Sequence, residues 1–107
     1  MSVGRICVVI LTLNEEQAIY DVIKAFPTHC LGSVVETVVM DGHSTDRTLE
    51  FAGAAGAKVY MQKGKGKGAA MKEAVELTDA ETLVFIDGDG TYSPNELERL
   101  VQPIVEV

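Results

Sequence analysis

The sequence predicts an α/β fold, with a mostly parallel sheet that carries helices on both faces. Four short apolar runs rich in β-branched residues are typical of strands buried on both faces. The segments between them have apolar residues at helical spacing, and such alternation favours parallel strands joined by right-handed crossovers. A length of 107 residues with 47% apolar residues fits a single domain that spans residues 1–107.

The first predicted strand, residues 6–11, leads into the first predicted helix. Asn14 has a side chain suited to the N-cap of this helix, and Gln17, three residues later, would complete a capping box. Pro27 ends the helix. Its apolar stripe consists of Ile19, Val22, Ile23 and Phe26.

The rest of the chain repeats the strand–helix unit. We expect Met71, Ala74 and Val75 to face inward from one of these helices. The last helix begins at the Ser93 cap, with Pro94 at its first position. The further predicted strands are residues 34–40, 57–61 and 82–86. The further predicted helices are residues 45–52, residues 67–77 and the segment after Ser93.

The charge of the chain argues against some classes of partner. The 16 acidic and 9 basic residues give a net charge of −7. General electrostatic binding to nucleic acid or to an anionic membrane needs a positive surface, so we expect neither. Five of the basic residues nevertheless lie within residues 58–72, a window without acids. This local positive charge indicates either a small anionic ligand or a solvated lysine loop.

Composition also bears on the cellular compartment. No apolar run approaches the roughly 18 residues of a membrane span, and the first residues lack the features of a signal peptide. Cys7 and Cys30 are expected to be reduced, partly buried thiols, and no Cys/His metal spacing is present. We therefore expect a cytoplasmic protein.

Polar clusters follow each of the four predicted strands. In open α/β sheets, ligands bind beyond the carboxyl ends of the strands, and all four clusters are expected at that edge. Their convergence is the main positional argument for a site. The clusters are residues 12–15, 41–46, 62–68 and 87–89.

The two carboxylates of Asp87 and Asp89 are candidate ligands for one divalent cation. They lie one residue apart, directly after a strand, and Mg²⁺ or Mn²⁺ prefers such oxygen ligands. A cation there would bridge them to the oxygens of a diphosphate. The alternative is a polar turn, because Asp-Gly is a favoured turn dipeptide.

The glycine–lysine loop, residues 64–68, lies between a predicted strand and a helix. Its glycines would let backbone N–H groups approach a phosphate, and its lysines add positive charge. It is neither a P-loop nor a complete dinucleotide-binding fingerprint, so a flexible loop is the alternative. Among the other rim residues, Asp46 fits the first turn of a helix, and His43 is a weak candidate for a base.

Taken together, these motifs resemble the N-terminal half of the family-2 glycosyltransferases, and most of all the polyprenyl- (dolichyl-) phosphate mannose or glucose synthase branch. The resemblance covers nearly the whole chain, and the motifs occur in family order. They are Ile-Leu-Thr-Leu-Asn-Glu at 10–15, Val-Met-Asp-Gly-His-Ser-Thr-Asp at 39–46, Lys-Gly-Lys-Gly-Ala-Ala at 65–70, Phe-Ile-Asp-Gly-Asp-Gly at 85–90 and Ser-Pro-Asn-Glu-Leu at 93–97.

The resemblance implies a Rossmann-like GT-A fold and a UDP- or GDP-sugar donor. Asp87 and Asp89 would form the DxD motif that holds Mg²⁺ or Mn²⁺ on the diphosphate. The sugar would be transferred with inversion, with a polyprenyl phosphate or a saccharide as the candidate acceptor. The nucleotide-sugar-binding residues implied by position are Thr12, Leu13, Asn14, Glu15, Asp41, Lys65, Lys67, Gly68, Asp87, Gly88 and Asp89.

The chain also departs from the family pattern. Leu13 stands where the family usually has a tyrosine in the first loop, and the resemblance covers only the family's first half, so we expect this chain to lack the half that supplies the acceptor site. No residue of this half is a certain catalytic group. We therefore expect donor and metal binding to be more robust than turnover, and an incomplete sheet edge would favour self-association or pairing with a C-terminal half. Full-length members of this branch would act at the cytoplasmic face of a membrane.

Three other hypotheses remain. A non-catalytic nucleotide-binding module, pseudoenzyme or half of a split enzyme would keep the pocket without an acceptor site. A receiver domain ranks low, because it needs an aspartate after the third strand, where this chain has Met61, Gln62 and Lys63. A nucleotidyltransferase is another possibility, but its usual N-terminal glycine-rich loop with basic residues is missing at residues 11–15.

Overall fold

A computed structural model describes residues 4–90 of the chain. Strands and helices alternate in the predicted order, with one additional short strand. The helix predicted after Ser93 lies outside the described residues. The elements are β1 (Ile6–Thr12), α1 (Ile19–Ala25), β2 (His29–Cys30), β3 (Ser33–Asp41), α2 (Thr48–Ala54), β4 (Lys58–Met61), α3 (Gly66–Leu77) and β5 (Thr82–Asp87).

The sheet is mostly parallel, as predicted. Its parallel strands lie in the order β4-β3-β1-β5, with β1 paired along its whole length to β3. Every predicted end of these four strands lies within one residue of the observed end. The unpredicted β2 has only two residues and pairs antiparallel with the start of β3. It is too short to give a periodic signal in the sequence.

Helices cover both faces of the described sheet, which confirms the α/β prediction. Successive residues of β1 point to opposite faces, because a strand has a period of two. Ile6, Val8 and Ile10 pack with residues of α1 and α2 on one face. Cys7 and Val9 pack with Ala70 and Ala74 of α3 on the other. The five consecutive residues from Ile6 to Ile10 are fully buried, and this explains their uninterrupted apolar run.

The predicted start of α1 is wrong. Asn14 does not cap the helix, which begins four residues later than a cap at Asn14 would place it, after an N-cap at Ala18 without a side-chain hydrogen bond. The Asn14 backbone is left-handed, with φ of 54°, and its side-chain oxygen accepts the N–H of Thr45. Its capping group is therefore used by a different loop. The second helix likewise begins later than predicted, at Thr48, because Asp46 accepts the N–H of that residue.

The predicted inward face of α3 is partly wrong. Ala74 is fully buried as expected, together with Ala70. Met71 and Val75 are instead 39% and 55% exposed. Small residues therefore face the sheet, where they let the helix backbone approach closely, and the larger apolar side chains lie outside.

The two cysteines are buried, and neither forms a disulfide, as predicted. Burial raises the pKa of the Cys7 thiol to about 11, so this group is a neutral part of the core. Within residues 4–90, no helix has both the length and the apolar character needed to cross a membrane.

Candidate functional site

The strand order creates a crevice at the carboxyl edge of the sheet. From β1 the chain runs to β3 and β4 on one side, and it then returns to place β5 on the other side of β1. Connections that diverge in this way leave a gap beyond the strand ends, which is where open α/β sheets bind ligands. The predicted polar clusters follow these same strand ends, so the structure brings them to one edge.

A cavity of about 390 Å³ lies at this edge. Loops after β1, β3, β4 and β5 all contribute to it, and seven of the predicted site residues line it. These are Thr12, Leu13, Glu15, Lys65, Lys67, Asp87 and Asp89. The other lining residues are Leu11, Gly42, His43, Gln62, Gly64, Gly66 and Ala70.

On the side of α1 and α2, the cavity wall is built on a buried aspartate. Asp41 is fully buried and lies opposite Thr12 in the β1–β3 register. The Thr12 hydroxyl donates to Asp41 Oδ1 over 2.7 Å, and the N–H and hydroxyl of Ser44 donate to the two carboxylate oxygens over 2.7 and 2.6 Å. Asp41 thus fixes the end of β1 and the turn after β3 relative to each other.

A second set of hydrogen bonds joins the same two loops. The Asn14 N–H donates to the Ser44 hydroxyl, and the Asn14 side-chain oxygen accepts the N–H of Thr45, each over 2.8 Å. Asn14 and His43 both have left-handed backbones, an uncommon conformation for residues other than glycine. Strain of this kind persists where surrounding contacts enforce it, and it is concentrated at functional sites.

Asp46 links these loops to the start of α2. Its carboxylate accepts the N–H and hydroxyl of Thr48 and the N–H of Glu16. Desolvation alone would raise the pKa of Asp46, but the hydrogen bonds from Thr48 and Glu16 outweigh it and lower the pKa. Asp46 was predicted within the first turn of a helix, but it lies before α2 and accepts hydrogen bonds from Thr48, the first residue of that helix.

On the side of α3, the cavity wall consists of charged groups. Lys67 Nζ lies 3.0 Å from Asp87 Oδ1, and the two side chains are 72% and 51% exposed. The lysine-bearing turn and the paired-aspartate turn therefore meet at one site. Asp89 and Lys65 line the same cavity.

Negative charge accumulates next to this ion pair. The pKa of Glu15 is raised by its desolvation and by the nearby charges of Asp89, Asp46 and Asp87. Of the two adjacent glutamates at the start of the first loop, Glu15 lines the cavity and Glu16 does not. Within residues 4–90, no three histidine, cysteine or acidic side chains come together as a complete metal-ligand set.

Four predicted site residues do not line the cavity: Asn14, Asp41, Gly68 and Gly88. Both carboxylate oxygens of Asp41 accept hydrogen bonds from Thr12 or Ser44, so its contact with a base or ribose stays a prediction. Gly88 packs beneath the rim, where an added Cβ would lie 2.8 Å from Thr12 Cγ2. The glycine between the two aspartates therefore allows their turn to lie against β1.

Gln62 belongs to the predicted polar cluster at residues 62–68, but it was not among the predicted nucleotide-sugar-binding residues. It is 6% exposed, lines the cavity and donates its backbone N–H to the Asp41 carbonyl. Its position directly after β4 is the signal that could have found it, because Asp41 and Asp87 close their own strands at the same edge. His43, the weak candidate base, is exposed and lines the cavity.

Comparison with known proteins decides the family. The model of the family described as glycosyl transferase family 2 matches residues 7–106. The chain belongs to this family. Glycosyltransferase AglJ of Haloferax volcanii is 40% identical over 102 residues, which are 94% of this chain and 33% of AglJ. The dolichyl-phosphate hexose transferase of the same organism is 38% identical over 99 residues, 92% of this chain and 42% of that protein.

Solved structures confirm the GT-A fold expected for this member of glycosyl transferase family 2. A crystal structure of glucosyl-3-phosphoglycerate synthase from Mycobacterium tuberculosis, in complex with Mg²⁺ and UDP, matches with a TM-score of 0.83 at 35% identity. The match covers 94% of this chain and 39% of that one. Another structure of that enzyme holds Mn²⁺, UDP-glucose and phosphoglyceric acid. The chain thus spans about a third to two-fifths of the length of these relatives.

Proposed function

We propose that this chain is the donor-binding part of a metal-dependent, inverting glycosyltransferase, and that its cavity takes a UDP- or GDP-sugar. The observation that carries the proposal is the contact between Lys67 and Asp87 at the cavity. It brings an ammonium group, which can bind phosphate, and a carboxylate, which can bind a metal ion, to the crevice between β1 and β5. Glycosyltransferase relatives crystallised with UDP support the same ligand class.

The nucleoside is assigned to the side of α1 and α2. Thr12 and Leu13 line the cavity, and Leu13, 57% exposed, offers an apolar surface for the flat face of a base. Asn14 and Asp41 hold this surface through their hydrogen bonds to Ser44, Thr45 and Thr12. Glu15 lines the cavity nearby and can accept a hydrogen bond from a base or a ribose hydroxyl.

The diphosphate is assigned to the side of α3. The side chains of Lys65 and Lys67 would lie near its oxygens, and the glycines at 66 and 68 leave the backbone of the helix start accessible. Charge develops on the departing nucleoside diphosphate when the bond to the anomeric carbon breaks. Preorganised cations at that position stabilise the transition state more than the ground state.

Asp87 and Asp89 are the residues that would hold Mg²⁺ or Mn²⁺. They fit a hard divalent ion because both side chains are exposed at the cavity and add to the local negative charge that raises the pKa of Glu15. Two carboxylates leave room for diphosphate oxygens and water, which such ions usually retain. A bound ion would supply charge neutralisation to the leaving diphosphate.

For the acceptor we propose a polyprenyl phosphate at the cytoplasmic face of a membrane, and a saccharide is the second candidate. The similarity to a dolichyl-phosphate hexose transferase supports the first choice. A phosphate acceptor is already ionised at neutral pH, so its attack needs little help from a base. Among the described lining residues, His43 is the only histidine.

The test is nucleotide binding by calorimetry, with UDP and GDP, in the presence and absence of Mn²⁺. We expect one of the two nucleotides to bind at least about tenfold more tightly with the metal, a difference of roughly 1.4 kcal/mol. Asp89→Asn should remove most of this metal dependence. Asp79→Asn, at an exposed carboxylate paired with Arg5, is the matched control and should preserve it. Equal affinities with and without Mn²⁺ would exclude the metal role, and no binding of either nucleotide would refute the proposal.

A further inference from the structure

The start of the glycine–lysine loop is held by a carboxylate from the helix that follows it. Glu73 of α3 accepts the N–H of Lys63 over 2.6 Å and the N–H of Gly64 over 2.8 Å, one with each oxygen. These two hydrogen bonds, first that of Gly64, lower the pKa of Glu73. The group is therefore charged at neutral pH, and charge-assisted hydrogen bonds of this kind are stronger than neutral ones.

A second side chain holds the carbonyl groups of the same loop. The amide nitrogen of Gln62 donates to the Gly64 and Gly66 carbonyls over 2.8 and 3.2 Å. Gln62 is itself fixed, because it is 6% exposed and its N–H donates to the Asp41 carbonyl over 2.9 Å. Two side chains thus make four hydrogen bonds to the backbone of residues 63–66.

Backbone pairing does little to define this loop. In the part of the chain that the structure describes, residues 63–65 donate no backbone-to-backbone hydrogen bond outside the helices and strands. Glycines at 64 and 66 give the loop more freedom than any other residue would. The loop also lies tightly against α3, since a Cβ at Gly64 would lie 2.8 Å from the Cβ of Ala69. The side-chain contacts therefore select one path among many.

We propose that Glu73 is a positioning residue for the donor diphosphate: it fixes the path of residues 63–65 and thereby places Lys65 at the cavity, without itself touching the ligand. Glu73 does not line the cavity, whereas Gly64, Lys65 and Gly66 do. Because Glu73 occupies the N–H groups of Lys63 and Gly64, these two groups are not free for phosphate. The inference rests on the proposed function, because it assumes that the cavity takes a nucleoside diphosphate.

The proposal predicts an effect that depends on the phosphates of the ligand. Glu73→Ala should weaken the binding of UDP in Mg²⁺ by about tenfold, the equivalent of one or two hydrogen bonds. It should leave the binding of uridine, followed by NMR chemical shifts, unchanged. GDP and guanosine form the parallel pair if the wild-type chain prefers guanine. Glu76→Ala, at an exposed glutamate of the same helix, is the matched control and should change neither affinity.

Amide hydrogen exchange provides a readout of the loop itself. In Glu73→Ala, the amides of Lys63 and Gly64 should exchange faster, while those of β1 stay protected. Glu73→Gln keeps one acceptor oxygen, so we expect an intermediate loss of UDP affinity, and this variant serves if Glu73→Ala does not fold.

The outcomes separate the inference from the proposed function. If the wild-type chain binds neither UDP nor GDP, the proposed function fails. If it binds one of them and Glu73→Ala binds it equally well, Glu73 is not a positioning residue. An equal loss for UDP and uridine would show a general structural role and would also overturn the inference.

Discussion

The two sides of the cavity rim are built from different kinds of contact. On the side of α1 and α2, the fully buried Asp41 accepts hydrogen bonds from Thr12 and Ser44. On the side of α3, Asp87 pairs with Lys67 while both side chains remain more than half exposed. Successive side chains of a strand point to opposite faces of the sheet, so one sheet supports both arrangements a few residues apart.

This difference indicates a division of labour within the proposed function. Buried hydrogen bonds between short polar groups fix a shape before any ligand arrives, which suits a neutral nucleoside. Exposed charges can exchange one partner for another at little cost, because water and ions screen them in the free state. Such a surface suits a diphosphate and a metal ion, whose charges must be compensated on binding.

The largest effect is expected at the buried carboxylate. Asp41→Asn should lower the free energy of unfolding by about 3 kcal/mol, because an amide group replaces an acceptor that faces donors from Thr12 and Ser44. Urea unfolding measures the change. Asp87→Asn is the matched comparison and should cost less than about 1 kcal/mol, since its ion pair is exposed. Similar losses in the two variants would mean that the sides of the rim do not differ as described.

A smaller effect, in binding rather than in stability, is expected at Lys67. Lys67→Ala should weaken UDP binding in Mg²⁺ by about tenfold while the free energy of unfolding changes by no more than roughly 0.5 kcal/mol. Calorimetry and urea unfolding give the two values. Lys72→Ala, at an exposed lysine of the same helix, should leave both unchanged. A Lys67 variant that loses stability but keeps its affinity would assign the lysine to the fold instead of the site.

The smallest effect concerns Asp46, on the side of α1 and α2, and the loss of unfolding free energy at acid pH. The pKa of Asp46 is lowered from 3.8, so the folded state binds its proton less readily than the unfolded chain does. The resulting stabilisation is complete above the unfolded pKa and is lost as the pH falls through the lower folded pKa. Urea unfolding at pH values from about 6 down to about 3 should show this loss, and Asp46→Asn should reduce it. An unchanged pH slope in the variant would show that other carboxylates cause the acid sensitivity.

The parts of the fold that the sequence predicted well are those fixed by burial. β1 is fully buried from Ile6 to Ile10, so its apolar run carries the strand signal directly. The errors arise where a distant contact overrides a local preference. Asn14 is a good capping residue, but Thr45, 31 residues away, takes its side-chain oxygen. The inward face of α3 was wrong at Met71 because close packing on the sheet favours Ala70, which a scale of hydrophobicity ranks lower.

The candidate site was predictable in position and only partly in detail. Ligand-binding edges follow from strand order, and the clusters at Thr12, Lys67 and Asp87 did meet at one cavity. The sequence could not show that Asp41 would be enclosed, because that depends on its register opposite Thr12. Nor could it show the contacts of Gln62 and Glu73, since both are common surface residue types whose partners are backbone groups.

The register of the sheet has a consequence for how this protein can change length. Leu11 pairs with both Met40 and Asp87, and Thr12 pairs with Asp41, so the strands end level with one another. Deleting one residue within a strand would turn every later side chain of that strand to the opposite face and carry its aspartate away from its partner. Residues 78–81, which lie outside the strands at the opposite edge of the sheet, carry no such requirement. Tolerated insertions should accumulate there, leaving the edge with the cavity constant in length.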